Sequence, residues 1–109
     1  MEYVITFRDA NGSWAVIVND FEKPGLIGHH YRFKPMKAEI VKDAYDEADF
    51  HYFRKSKTPI PAGTEVMIDD WWMNFYGAYF TIEWEGSKYD VKTDCVAIKK
   101  EMETLTDSM

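Results

Sequence analysis

The side chains with most to offer chemically in this 109-residue chain are its rings and its carboxylates. Trp71, Trp72, Phe75, Tyr76 and Tyr79 crowd one short stretch, and Tyr45, Phe50, Tyr52 and Phe53 crowd an earlier one. Exposed rings give a partner large apolar anchors, the kind of contact that dominates protein interfaces. The same rings can instead close the ends of a small core. Neighbours on a strand point to opposite faces, so Trp71 and Trp72 cannot both point inward from one strand. The acidic residues Glu39, Asp43, Asp46, Glu47 and Asp49, joined by Asp69 and Asp70, form a candidate negative face. Such a face would speed encounter with a basic partner and fix its register. Lys42, Arg54, Lys55 and Lys57 interrupt it, and an ordinary solvated surface is the competing reading.

Other chemistries find little support. His29, His30 and His51 invite a metal, but adjacent histidines diverge in an extended chain. No Cys or carboxylate recurs at a ligand interval beside them, so no metal or other cofactor is expected. Cys95 has no nominated base nearby and reads as a small buried hydrophobe. Gly25 and Gly28 do not open a helix after a strand, so they make no phosphate loop. No catalytic residue is assigned, and a non-enzymatic protein is expected. The net charge of −6, from 19 acidic and 13 basic residues, argues against a general nucleic-acid binder. A local site of rings beside Lys34, Arg54, Lys55 and Lys57 remains an alternative. A single cysteine allows no intramolecular disulfide, and the apolar runs fall far below the length of a membrane span. A cytoplasmic location is the default expectation.

The elements that position these residues show best between Gly63 and Ile98. Phe80, Ile82 and Trp84 alternate with Tyr79, Thr81 and Glu83, as a strand with one buried face requires. The pattern resumes at Tyr89 and Val91, opposite Lys88, Asp90 and Lys92, after a tight turn at Glu85-Gly86-Ser87. Near the start, Tyr3, Ile5 and Phe7 alternate with Val4, Thr6 and Arg8. A turn at Asp9 to Ser13, containing Asn-Gly, then leads into the strand Trp14 to Val18. That return strand is apolar on both faces, which predicts a covered position. Residues 20 to 35 form a connection marked by Pro24-Gly25, Gly28 and Pro35, with Tyr31 and Phe33 available for a short strand. Residues 36 to 54 allow two readings. At helical period, Ile40 or Val41, Ala44 or Tyr45, Ala48 and Tyr52 form a stripe; otherwise a strand near Ala38 leads into an acidic loop.

From about Lys37 to Ile98 the chain resembles an SH3-like small barrel of the bacterial and phage type. The residues that carry the likeness are a first strand, Ala38 to Lys42; a long loop, Tyr45 to Lys57; and the strand Gly63-Thr64-Glu65-Val66-Met67-Ile68. A variable loop from Asp69 to Tyr76 follows, then the hairpin pair Ala78–Trp84 and Lys88–Lys92. A turn at Thr93-Asp94-Cys95 precedes a short strand from Val96 to Ile98. The resemblance implies a mostly β protein: an N-terminal hairpin and connection over 1–35, the barrel over 36–99 and a polar tail over 100–109. An α+β fold, with a helix at about 38–54 packed on an antiparallel sheet, is the alternative. In such a barrel the two long loops face each other across a groove. Tyr45, Phe50, Tyr52, Trp71, Trp72, Phe75, Tyr76 and Tyr79 are then the candidate partner-binding residues. Asp43, Asp46, Glu47, Asp49, Asp69 and Asp70 are the candidate electrostatic ones. Tyr45-Asp46 only partly matches the opening motif of the peptide-binding type, so proline-rich peptides are not the expected ligand.

The stretch from Trp72 to Gly86 also resembles small phage and prophage proteins. The expected function is a protein-binding module, in its sharper form one that inhibits a host protein. A phage structural or assembly protein, and a nucleic-acid-binding barrel, are the alternatives. The added hairpin leaves an edge that a second copy would protect, which makes a homodimer a further expectation.

Overall fold

A computed structural model describes residues 1–47 and 58–99. All regular elements among them are strands, apart from one 3-10 turn at Thr93–Cys95. The strands are β1 (Glu2–Arg8), β2 (Ser13–Asn19), β3 (Tyr31–Ile40), β4 (Glu65–Asn74), β5 (Gly77–Trp84), β6 (Ser87–Lys92) and β7 (Val96–Ile98). β1 and β2 pair with each other, while the remaining five form an antiparallel sheet in the order β6-β5-β4-β3-β7. None of the described residues belongs to a helix long and apolar enough to cross a membrane.

The helical reading of residues 38–54 fails where it can be followed. Residues 38–40 end β3 and residues 41–47 hold no helix; residues 48–54 lie outside the described part. Helical propensity at Ala38, Glu39 and Lys42 loses to pairing on both sides of the chain. Ala38 lies opposite Val66 of β4 and opposite Ile98 of β7. The first strand of the sheet also starts earlier than its expected position at Ala38, because Tyr31 and Phe33 belong to it.

Two irregularities set which side chains face inward. In β3 the register with β4 shifts between Arg32 and Met36, around Pro35, which has no N–H to give a ladder. In β4 the register with β5 shifts between Ile68 and Asp70. A β-bulge inserts one residue and reverses the phase of those that follow. Val66 and Ile68 therefore share the core with Trp71 and the partly buried Met73, three residues on from Ile68 rather than two. The expected loop from Asp69 to Tyr76 is strand as far as Asn74, and only Phe75 and Tyr76 turn the chain.

The hairpin of β1 and β2 lays its inward face on the sheet. Ile5, Phe7 and Val18 are buried with Tyr31, Phe33, Ile68, Trp71, Phe80 and Ile82 in one cluster. The Phe7 ring lies 5.5 Å from that of Phe33, 6.0 Å from Trp71 and 5.0 Å edge-on from Phe80. The outward face of the hairpin is open, with Val4 and Ile17 exposed opposite each other, so the doubly apolar β2 is covered on one side only. Glu85 (φ 49°) and Gly86 (φ 81°) both take left-handed backbone between β5 and β6, the two-residue turn that matches strand twist.

A buried carboxylate fastens the hairpin to the sheet. Asp9 Oδ1 accepts from Asn11 N at 2.8 Å and Gly12 N at 2.9 Å, closing the turn. Its Oδ2 accepts from Trp14 Nε1 at 3.0 Å and from Ile98 N of β7 at 2.8 Å. The Ala10 N–H also donates to the Val96 carbonyl at 2.8 Å. Replacing Asp9 by Ala strands donors that folding has removed from water. A loss of roughly 3 kcal/mol or more in unfolding free energy is expected, measured by urea denaturation.

Candidate functional site

The reversed phase of β4 gives the sheet a second polar and aromatic face. Asp70 of β4, Thr81 of β5 and Asp90 of β6 stand opposite one another in one cross-strand row. Trp72, Tyr79 and Lys92 form the next. In the first row Thr81 Oγ1 lies 2.8 Å from Asp70 Oδ2 and 2.7 Å from Asp90 Oδ1. Having one hydrogen to give, the hydroxyl donates to one carboxylate at a time. In the second row the Trp72 and Tyr79 rings stack at 4.6 Å, with Lys92 Nζ 5.3 Å from the Tyr79 ring centre. Trp72 Nε1 donates to Asp90 Oδ1 at 2.8 Å and ties the rows together.

His30 covers both rows. Its Nδ1 lies 2.6 Å from Asp70 Oδ2 and its ring stacks on Trp72 at 4.9 Å, while the side chain keeps about half its surface in solvent. Asp70 is 2% exposed, and its Oδ1 has no hydrogen-bond partner among the described residues. Glu47 N donates to the Asp90 carbonyl, and Asp90 N donates to Asp46 Oδ1 at 3.1 Å. The layer is thus knitted from β4, β5, β6, His30 and the segment at Asp46 and Glu47.

Five of the candidate residues, Trp72, Tyr79, Asp46, Glu47 and Asp70, are engaged in this framework. Trp71 is core. Trp72 and Tyr79 are buried, in the outer stack rather than the main core. Asp70 and Asp46 serve the network, and Asp43 Oδ1 accepts from Ala62 N at 3.1 Å, beside the two-residue bridge between Ala44 and Ile60. Asp69 and Tyr45 are half-buried. Asp49, Phe50 and Tyr52 lie outside the described residues, as do Phe53, Arg54, Lys55 and Lys57.

Two candidates are largely exposed. Phe75 is 89% and Tyr76 73% exposed at the tip of the β4–β5 hairpin. That tip is held firmly: Asn74 Oδ1 accepts from the N–H groups of Tyr76 and Gly77, and Lys92 Nζ donates to the Tyr76 carbonyl. Gly77 has a φ of 147°, and a Cβ there would stand 2.8 Å from Lys92 Nζ. Sequence reasoning missed the residues beside this tip. The Gly28 N–H donates to the Met73 carbonyl at 2.8 Å, pinning the loop that carries Leu26 (48% exposed) and Ile27 (46%) near the hairpin end. Tyr31 OH donates to the Lys23 carbonyl and accepts from Leu26 N, bracing the loop from below. His29 Nε2 lies 2.9 Å from Asp20 Oδ1. The Asp20 carboxyl sits below its ordinary value because of the Glu22 N–H first and His29 second.

No group of three or more His, Cys, Asp or Glu among the described residues could hold a metal ion. The Cys95 thiol is pushed up to about 11 by burial first and the Asp94 carboxylate second. These observations define a class: a mostly β protein with a curled five-stranded antiparallel sheet and a smaller two-stranded one. No protein-family model, curated protein or solved structure matches the chain.

Two outcomes are expected from this geometry. Thr81→Val removes the hydroxyl shared by Asp70 and Asp90 and should cost about 1–3 kcal/mol in unfolding free energy, read by thermal denaturation. Cys95 should resist an aromatic disulfide reagent at pH 8 in the folded protein and react fully in urea. Its raised value also fixes a sign. The folded state favours the protonated thiol, so its contribution is intact below the thiol's ordinary value of 9.0 and is lost as pH rises towards about 11. Rapid native labelling at pH 8 would contradict that placement.

Proposed function

We propose that this protein is a non-catalytic protein-binding module whose partner docks on the end formed by the 20–30 loop and the β4–β5 turn. The observation that carries the reading is the exposure of Phe75 and Tyr76 on a tip that hydrogen bonds hold in place. Large rings in water lose apolar burial they would gain at an interface, and a fixed tip loses little further entropy when it docks. Leu26 and Ile27 enlarge the apolar area beside them, and single contiguous patches of this kind mark interaction sites. The face is amphipathic at its edge, where Lys92 and the half-exposed His30 supply polar contacts.

The SH3-like reading is part of this proposal. The element order behind the resemblance is present from β3 to β7: strand, long connection, strand, hairpin pair, 3-10 turn and short last strand. It differs from the expected arrangement in one functional respect. The binding rings lie at the end of a long hairpin, rather than across a groove bounded by a loop at Asp69 to Tyr76.

The test compares the native chain with a Phe75→Ser, Tyr76→Ser variant in affinity capture from bacterial lysate. Both side chains are exposed, and urea unfolding establishes that the variant is folded. A protein retained by the parent and at least about tenfold depleted with the variant supports the module. Equal retention by both, or retention of nothing, counts against it. Trp72 is unsuitable as a probe because its removal would break the stack and the bond to Asp90.

A further inference from the structure

A second surface, away from the aromatic tip, has its own chemistry. Where the outward face of the hairpin meets β3, a groove of about 380 Å³ is lined by Glu2, Ile17, Asn19, Arg32, Phe33 and Lys34. Ile17 gives it an exposed apolar side chain, Phe33 is buried at its base, and Arg32 and Lys34 stand exposed along it. Neither cation has an ion pair among the described residues, although the chain as a whole carries a net charge of −6. Arg32 lies opposite Asp70 in the ladder, where His30 and Thr81 contact Oδ2, and it forms no ion pair with that carboxylate. The backbone here is also incompletely paired. β7 accompanies β3 only at Ala38 to Ile40, so the start of β3 is laddered on its β4 side alone. No ladder joins β2 to β3.

We propose that this groove binds an extended acidic peptide segment of a partner protein, laid along β3. Alternate side chains of an extended peptide point the same way, so apolar ones would rest on Ile17. The acidic ones would then reach Arg32 and Lys34. Arg32 offers a planar fork suited to a carboxylate, and Lys34 a mobile charge that tolerates variation in register. Glu2, which faces Asn19 across the hairpin, repels a carboxylate at its own end of the groove and so favours one placement of the peptide over the other. The surface recognises charge and spacing, unlike the apolar tip at Phe75.

Fluorescence polarisation of a labelled decapeptide alternating Glu and Val, against one alternating Lys and Val, tests the proposal on the full chain. The acidic peptide is expected to bind saturably and to weaken as salt is raised; the basic one is not expected to bind. Arg32→Glu with Lys34→Glu should weaken binding about tenfold or more, and Ile17→Ser should weaken it with the charges intact. Phe75→Ser with Tyr76→Ser should leave it unchanged, which separates this surface from the aromatic tip. Circular dichroism and urea unfolding establish that each variant is folded. Absence of saturation at about 1 mM, equal binding of both peptides, or indifference to the charge reversal overturns the proposal. So does self-association, seen by sedimentation and abolished by the reversal, because the groove would then belong to a second copy of the chain.

Discussion

One carboxylate decides whether the two sheets of this protein form a single body. The hairpin of β1 and β2 shares no ladder with the larger sheet, so its orientation rests on side-chain packing, on Asp9 and on the bond from Ala10 N to the Val96 carbonyl. Packing alone is permissive, because apolar contacts are non-directional. Asp9 adds direction: it shapes the turn with one oxygen and grips both Trp14 and the backbone of Ile98 with the other. With that geometry set, Phe7 meets Phe33, Trp71 and Phe80, and the concave side of the sheet is filled. The outer layer depends on the same core in turn, since a displaced β4 would separate Asp70 from Thr81 and Trp72 from Tyr79.

The outer layer shows how a small sheet keeps a buried carboxylate. Asp70 is costly to enclose, and it is tolerated because Thr81 donates to it and His30 lies against it. The stack of His30, Trp72 and Tyr79 shields that polar row from water, and Trp72 belongs to both rows through its bond to Asp90. The arrangement is rigid by construction. It consumes side chains that look free in the sequence, and Phe75 and Tyr76 at the tip stay exposed.

Local alternation made the meander legible. Phe80 and Ile82 are buried as their phase requires, the turn falls at Glu85-Gly86, and the 3-10 turn and last strand lie at Thr93–Cys95 and Val96–Ile98. Two things escaped because they arise only when strands pair. The bulge before Asp70 reverses the phase of β4, and without it the sequence from Asp69 to Tyr76 looks like a loop of mixed polarity. The roles of Asp70, Thr81 and Asp90 likewise come from cross-strand register, which joins residues far apart in the chain. Trp71 and Trp72 do divide between two faces, as adjacent strand residues must. The bulge settled which one faces the core. Leu26 and Ile27 went unnoticed because a loop looks solvent-facing until a bond such as that from Gly28 to Met73 fixes its place.

The pairing of β7 with β3 has a consequence for how the chain is made. β4, β5 and β6 follow one another through short turns and can assemble as they emerge, since each strand finds its partner next door. β3 gains its second neighbour only when Val96 to Ile98 arrive, and Asp9 must wait for the same segment before it can bind Ile98. Closing so long a loop is slow, and little of its entropy cost is recovered until the contacts form. The inner face of the hairpin, Ile5, Phe7 and Val18, can meet β3, β4 and β5 before that segment exists, but the bond from Ile98 N to Asp9 cannot form until it does.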